Sequence, residues 1–139
     1  MTARRSRPVR RKRVAPATSS KRGVLDVTVV ILPEGYVSTA IAPLEVFHSA
    51  GVLWQSLRGD EPEPRFRVRV ASVDGGEVRG MCGLRLLPEL SIEAIEHTDV
   101  IVLTASGRNL ADQIARGTRL LPWLREWHAR GAYIAAICS

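Results

Sequence analysis

The stretch VLDVTVVILPEGYVSTAIAPLEVFHSAG, residues 24–51, decides the fold. Its first nine residues are dominated by β-branched side chains and carry one charge, Asp26. A continuous apolar run of this length suits a strand covered on both faces, as in a parallel sheet. PEGY (33–36) then breaks the strand. From Ser38 the spacing changes, and STAIAPLEVFHSAGVLWQSL (38–57) reads as one helix, with Ser38 or Thr39 as its cap. Ile41, Leu44, Phe47 and Val52 or Leu53 fall on one face, and Pro43 sits in an early turn, where proline is tolerated.

The same alternation continues down the chain. RGDEPEP (58–64) is a polar loop. RFRVRVASV (65–73) sets Phe66, Val68 and Val70 against Arg65, Arg67 and Arg69, the pattern of a strand with one wet face near a sheet edge. DGGEV (74–78) turns the chain, and RGMCGLRLLPEL (79–90) reads as a short strand or hairpin. SIEAIEH (91–97) is a short helix with Ser91 as its cap. TDVIVLTA (98–105) is a second buried strand, followed by SGRN (106–109). LADQIARG (110–117) and TRLLPWLREWHARG (118–131) are helices closed by glycine. In the second of these, Leu120 or Leu121, Leu124 and Trp127 form the apolar face. AYIAAICS (132–139) is a third buried strand.

Strands alternating with helices predict an α/β fold. The expected architecture is a doubly wound, flavodoxin-like parallel sheet with helices on both faces, incomplete at the C-terminus. Ligands in such sheets bind beyond the carboxyl ends of the strands. Those ends are PEGY (33–36), TASG (104–107) and ICS (137–139), so three distant loops are expected to converge on one crevice. Cys138 would project from the end of the innermost strand.

The formal charge of +6 is unevenly placed. Nine of the 20 Lys and Arg lie in residues 1–23, which hold no acidic residue, so the body from Val24 carries about −3. The segment MTARRSRPVRRKRVAPATSSKRG lacks apolar periodicity and a signal-peptide core and reads as a disordered basic tail. It is a solvated extension or a salt-sensitive phosphate contact. No apolar run is long enough to span a bilayer, so no membrane partner is expected. Two cysteines, Cys82 and Cys138, are too few for a disulfide framework and lack the spacing of a zinc site. That favours a reducing, cytoplasmic setting with no metal and no cofactor.

A cysteine at the tip of a strand has two readings. It is the reactive residue of a nucleophile elbow, activated by the N-terminus of a following helix, or a small apolar side chain closing a strand. The TASG loop likewise supplies backbone N–H groups to an anionic oxygen, or is an ordinary turn capped by Ser106 or Asn109.

Residues 27–51, RFRVRVASVDGGEVRG (65–80), GLRLLPEL (83–90), TDVIVLTASG (98–107) and LPWLREWHARGAYIAAICS (121–139) together resemble the ThiJ/PfpI-like domain, a relative of class I glutamine amidotransferases. They are most similar to the version at the N-terminus of AraC-type transcriptional regulators. APLEVFHSAG (42–51) and ARGAYIAAICS (129–139) are the most specific marks. The resemblance covers residues 24–139 and implies a partial domain cut at the elbow. In that family the chain continues through the elbow helix to helix-turn-helix units, so DNA would be read only through a domain absent from this chain. It also implies a small-molecule metabolite as ligand and is compatible with a homodimer. If later strands are lost, apolar surface on 132–137 is expected to stay exposed and the chain alone to be marginal, since native stability is only about 5–15 kcal/mol.

Enzymes of the family pair the elbow cysteine with an acid four residues before the proline matching Pro43. Here that position is Thr39. Glu34 and Glu45 lie elsewhere, His48, His97 and His128 read as surface or packing residues, and Cys82 as a partly buried thiol. The resemblance therefore implies a non-catalytic ligand-sensing domain whose rim is Glu34, Gly35, Ser106, Gly107, Cys138 and Ser139. The alternative is a cysteine-dependent hydrolase or amidase acting through Cys138. A protein bound to nucleic acid through its basic tail is a more distant third.

Overall fold

In the computed structural model, residues 23–107, Ala115 and 118–138 are described. The basic tail before Gly23, Asn109, Ser139 and, apart from Ala115, the helix expected over 110–117 lie outside them. The elements are β1 (Leu25–Val30), α1 (Ser38–Ser49), α2 (Leu53–Arg58), β2 (Phe66–Ser72), β3 (Val78–Arg79), β4 (Arg85–Leu86), β5 (Leu90–Ser91), a 3₁₀ turn (Ile92–Ala94), β6 (Val100–Leu103), α3 (Leu120–Ala129) and β7 (Tyr133–Ala136). Five strands form a parallel sheet in the order β5-β2-β1-β6-β7, and β3 and β4 form a small antiparallel hairpin.

β1 is the middle strand. It pairs with β2 on one side and β6 on the other, with Val29 opposite both Val70 and Val102. Its side chains alternate between two cores. Val27 and Val29 pack with Val102 and, on the α1 side, with Phe47, whose ring meets Phe66 edge-on at 4.9 Å. Val30 packs with Ile101, Ala71 and Ile92 against Trp123, Leu124 and Trp127 of α3. The sheet is thus covered on both faces, as the alternation of elements predicts.

β1's two polar side chains each have partners. The Arg67 guanidinium lies 2.8 Å from the Asp26 carboxylate. Thr28 donates to the Thr98 hydroxyl at 3.0 Å, which donates onward to the Val100 carbonyl. Buried polar groups require such partners, because each lost hydrogen bond leaves the full desolvation cost behind.

The structure revises several expectations. The single helix over 38–57 is two helices. Gly51 adopts a left-handed φ of 79°, and a Cβ there would lie 2.0 Å from the Glu63 carbonyl oxygen. The 60–64 loop docks on this point through Glu63 N–H to Gly51 O and Arg65 N–H to Ala50 O. Leu53 is exposed rather than part of a buried face, as are Trp54 and Leu57. Pro43 is buried in the second turn of α1, an early turn as expected. The helix begins after Val37, and neither Ser38 nor Thr39 caps it. The SIEAIEH helix is a single 3₁₀ turn preceded by Ser91, whose side chain makes no capping bond.

β7 is also not buried. All four of its residues are exposed, Tyr133 at 72%, because β7 has only β6 beside it among the described residues. The innermost strand is β1, so Cys138 extends from the sheet edge. Cys82 is exposed, because the hairpin turn that carries it projects from two-residue strands. No helix among the described residues is long and apolar enough to cross a membrane.

Ile101 is fully buried and Leu57 is 71% exposed. Ile101→Ala is expected to cost about 2–5 kcal/mol, and Leu57→Ala to stay within about 0.5 kcal/mol, as read by urea unfolding.

Candidate functional site

The carboxyl ends of β1 and β6 are bound together by their loops. Leu32 N–H donates to the Thr104 hydroxyl at 3.0 Å, and Thr104 N–H donates to the Val30 carbonyl. Beyond them the chain at Gly35 runs so close to the other loop that a Cβ there would lie 1.8 Å from the Ala105 carbonyl oxygen. Only a residue without a side chain fits at that separation. On its other side this loop is held by the β3–β4 hairpin, through Glu34 N–H to Arg79 O at 2.8 Å and Met81 N–H to Gly35 O at 3.0 Å. An open groove of about 890 Å³ lies between Pro33–Glu34 and residues 77–83.

Glu34 has a left-handed backbone, φ 60°, which is costly for a residue with a Cβ. Its side chain lies over Gly107, where a Cβ would come 2.6 Å from Glu34 Cβ and 2.9 Å from its Oε2. The structure thus brings Glu34, Gly35 and Gly107 together, with Ser106 half-buried beside them. Ile137 N–H donates to the Leu103 carbonyl and carries the chain past the end of β6. Cys138 follows, exposed, and it and Glu34 are the only non-glycine residues with positive φ among those described, Cys138 at 62°.

Thr39, read from sequence as a cap or a missing acid, is a clamp. Its hydroxyl donates to the Tyr36 carbonyl at 2.6 Å and accepts Ala105 N–H at 3.0 Å. One side chain thereby closes the turn after β1 and fixes the loop after β6. It also occupies one backbone amide that an anion-binding loop would need to present.

His48, His97 and His128 are all exposed. His97 stands at the opposite end of the sheet, where its ring nitrogen lies 3.4 Å from Asp99 and 3.9 Å from Asp26. Asp26, His97 and Asp99 are the one group among the described residues whose donor atoms sit close enough to hold a metal ion. Arg67 takes both Asp26 oxygens, at 2.8 and 3.3 Å, and Asp99 accepts the Asp26 N–H. Asp26 Oδ2 accepts a hydrogen bond from Arg67, while buried Oδ1 has the guanidinium charge beside it but no hydrogen-bond partner among the described residues, and the cluster ties β1, β2 and β6 together.

A second cleft, not legible from sequence, opens between the ends of β1 and β2 and the start of α3. Asp74 lies on its rim. The Gly76 N–H at 2.9 Å holds the Asp74 carboxyl below its ordinary pKa of 3.8, aided by the Ser72 hydroxyl and the charge of Arg119.

The DJ-1/PfpI family pattern matches residues 27–139. Among solved structures, the chain is similar to oxidized DJ-1 of Toxoplasma gondii, with 25% identity over 83% of this chain and 56% of that one and a TM-score of 0.63. It is similar to DJ-1beta of Drosophila melanogaster at 23% identity over 84% and 56%, with a TM-score of 0.65. An AraC family transcriptional regulator from Pseudomonas putida shares the fold at 22% identity over 81% and 55%, with a TM-score of 0.57. The chain spans little more than half the length of these structures. No curated protein matches it significantly.

Gly35→Ala is expected to destabilise by at least about 3 kcal/mol, because the obstacle is backbone. Thr39→Val should cost about 1–3 kcal/mol by leaving the Ala105 N–H and Tyr36 carbonyl without their partner. Thermal and urea melts would check both. Asp74 supports folding above its unfolded pKa and loses that contribution as pH falls through its lower folded value. Its carboxyl should titrate by NMR below 3.8, and Asp74→Asn should flatten the acid limb of the stability profile.

Proposed function

The chain belongs to the DJ-1/PfpI family, and from that premise we propose that residues 24–139 form the non-catalytic, ligand-sensing domain of a transcriptional regulator of the AraC type. The observation that carries this reading is Thr39. Its hydroxyl is engaged by Tyr36 and Ala105, at the position where the resemblance puts the acid partner of a reactive cysteine. General acid–base chemistry needs a titratable side chain within hydrogen-bond reach of the reacting group. A threonine hydroxyl bound on both sides offers none.

What the rim offers instead is recognition. Glu34 presents a carboxylate over Gly107, and the 33–36 and 105–107 loops are held rigidly on each other. A preorganised rim of this kind binds a small metabolite without spending binding energy on loop ordering. Ser106 and Cys138 border it in this reading, and Ser139 would follow them. The likeness in fold to an AraC family regulator supports the assignment. DNA reading belongs to a separate domain, and the sensor would bias it through the populations of its bound and unbound states. A homodimer in the cytoplasm is the setting this proposal carries with it.

The second reading, a cysteine-dependent hydrolase or amidase, is favoured by one feature. Cys138 is exposed at a strand end with φ 62°, the kind of strained turn that presents a nucleophile.

The two readings part on turnover. With p-nitrophenyl acetate and a panel of simple amides, the full chain is expected to release no more than one equivalent of product. Sustained turnover that disappears in Cys138→Ser would overturn the sensor reading.

A further inference from the structure

We propose that the cleft between the ends of β1 and β2 and the start of α3 is a binding site for a small monovalent cation with an apolar body, of the primary alkylammonium class. The cavity measures about 350 Å³, at the small end of ligand pockets. Its walls are aliphatic: Ile31 and Leu32 from the end of β1, Val73 from the end of β2, Val78 from the hairpin and Leu120 from α3. Three charged side chains, Asp74, Glu77 and Arg119, stand at its edge.

Charge balance selects the ligand. Arg119 is engaged by Glu93, through its Nε at 3.0 Å and through its Nη2. Glu77 has Arg85 at 3.6 Å. Asp74 receives only neutral donors, the Ser72 hydroxyl at 3.3 Å and the Gly76 N–H at 2.9 Å, and makes no ion pair among the described residues. The charge of Arg119 reaches Asp74 as well, but Asp74, Glu77 and Glu93 against Arg85 and Arg119 still leave one net negative charge among the described residues around the cleft, above an apolar floor. Ser72 also donates to the Gly76 carbonyl at 3.0 Å, so the turn that carries the carboxylate is fixed before any ligand arrives. An ammonium group at Asp74 with its alkyl chain among Ile31, Val73 and Leu120 satisfies both features. An anion meets the Asp74 charge, and a divalent ion gains nothing from the aliphatic walls. The site uses neither Glu34, Gly107 nor Cys138, so it stands independently of the rim proposed above.

The test is a titration of isoamylammonium into the isotope-labelled full chain at constant ionic strength, followed by amide NMR. Isoamyl alcohol and isocaproate are the controls. Saturable shifts are expected at Val73–Val78 and Leu120, with both controls weaker by about tenfold or more. Asp74→Asn keeps an acceptor for Gly76 N–H and should weaken the amine to the level of the alcohol. Equal binding of isocaproate, an unchanged affinity in Asp74→Asn, or no saturable shift at these residues would each overturn the proposal. Shifts confined to Glu34, Gly35 and Gly107 would overturn it too, while leaving the sensor reading intact.

Discussion

β1 is hydrogen-bonded along both edges and buried on both faces, and the rest of the structure is arranged to make that tolerable. A central parallel strand cannot alternate between apolar and polar, so its sequence is apolar almost throughout. Its two exceptions set long-range ties. The Asp26 carboxylate draws Arg67 from β2 while its backbone N–H donates to the Asp99 carboxylate just before β6, and Thr28 draws Thr98. These contacts join positions 41 to 73 residues apart in the chain. Register in the sheet is thereby fixed by polar groups at one end and by the interlocked loops at the other.

The two ends of the sheet carry different roles for the same reason. At the amino end, opposite charges are paired and Asp26 is mostly sheltered. At the carboxyl end, the backbone itself is under constraint. Glu34 adopts a conformation that favours glycine, and Gly35 is crossed by a carbonyl at a separation no side chain allows. Strain of this kind persists only where the surroundings over-determine it. Here the hairpin on one side and the Ala105 loop on the other do so.

Much of this was legible in the sequence, and the exceptions have physical causes. β1 and β6 announce themselves because a strand buried on both faces needs an unbroken apolar run. The face of α3 follows from spacing alone, with Trp123 added to Leu120, Leu124 and Trp127. The break at Gly51 was hidden, because the apolar spacing continues through it and the cause is a loop that docks from residues 63 to 65. β7 reads as buried because apolar content records what a strand is suited to, whereas exposure records what lies beside it. The convergence of Glu34, Gly35 and Gly107 followed from topology. The role of Thr39 did not, because its acceptor and donor roles depend on an amide 66 residues away. The second cleft was invisible for the same reason, since Asp74 and Arg119 meet only in the folded chain.

The Thr39 clamp also bears on how such a domain diverges. A hydroxyl both gives and takes a hydrogen bond, and here it does each once. An ionised carboxylate at this position could still accept the Ala105 amide, but it has no proton for the Tyr36 carbonyl. A carboxylate and the hydroxyl that holds this turn are therefore not interchangeable at residue 39. Passage between the two is epistatic: an acid gained at residue 39 costs less once the 36–39 turn has found another donor.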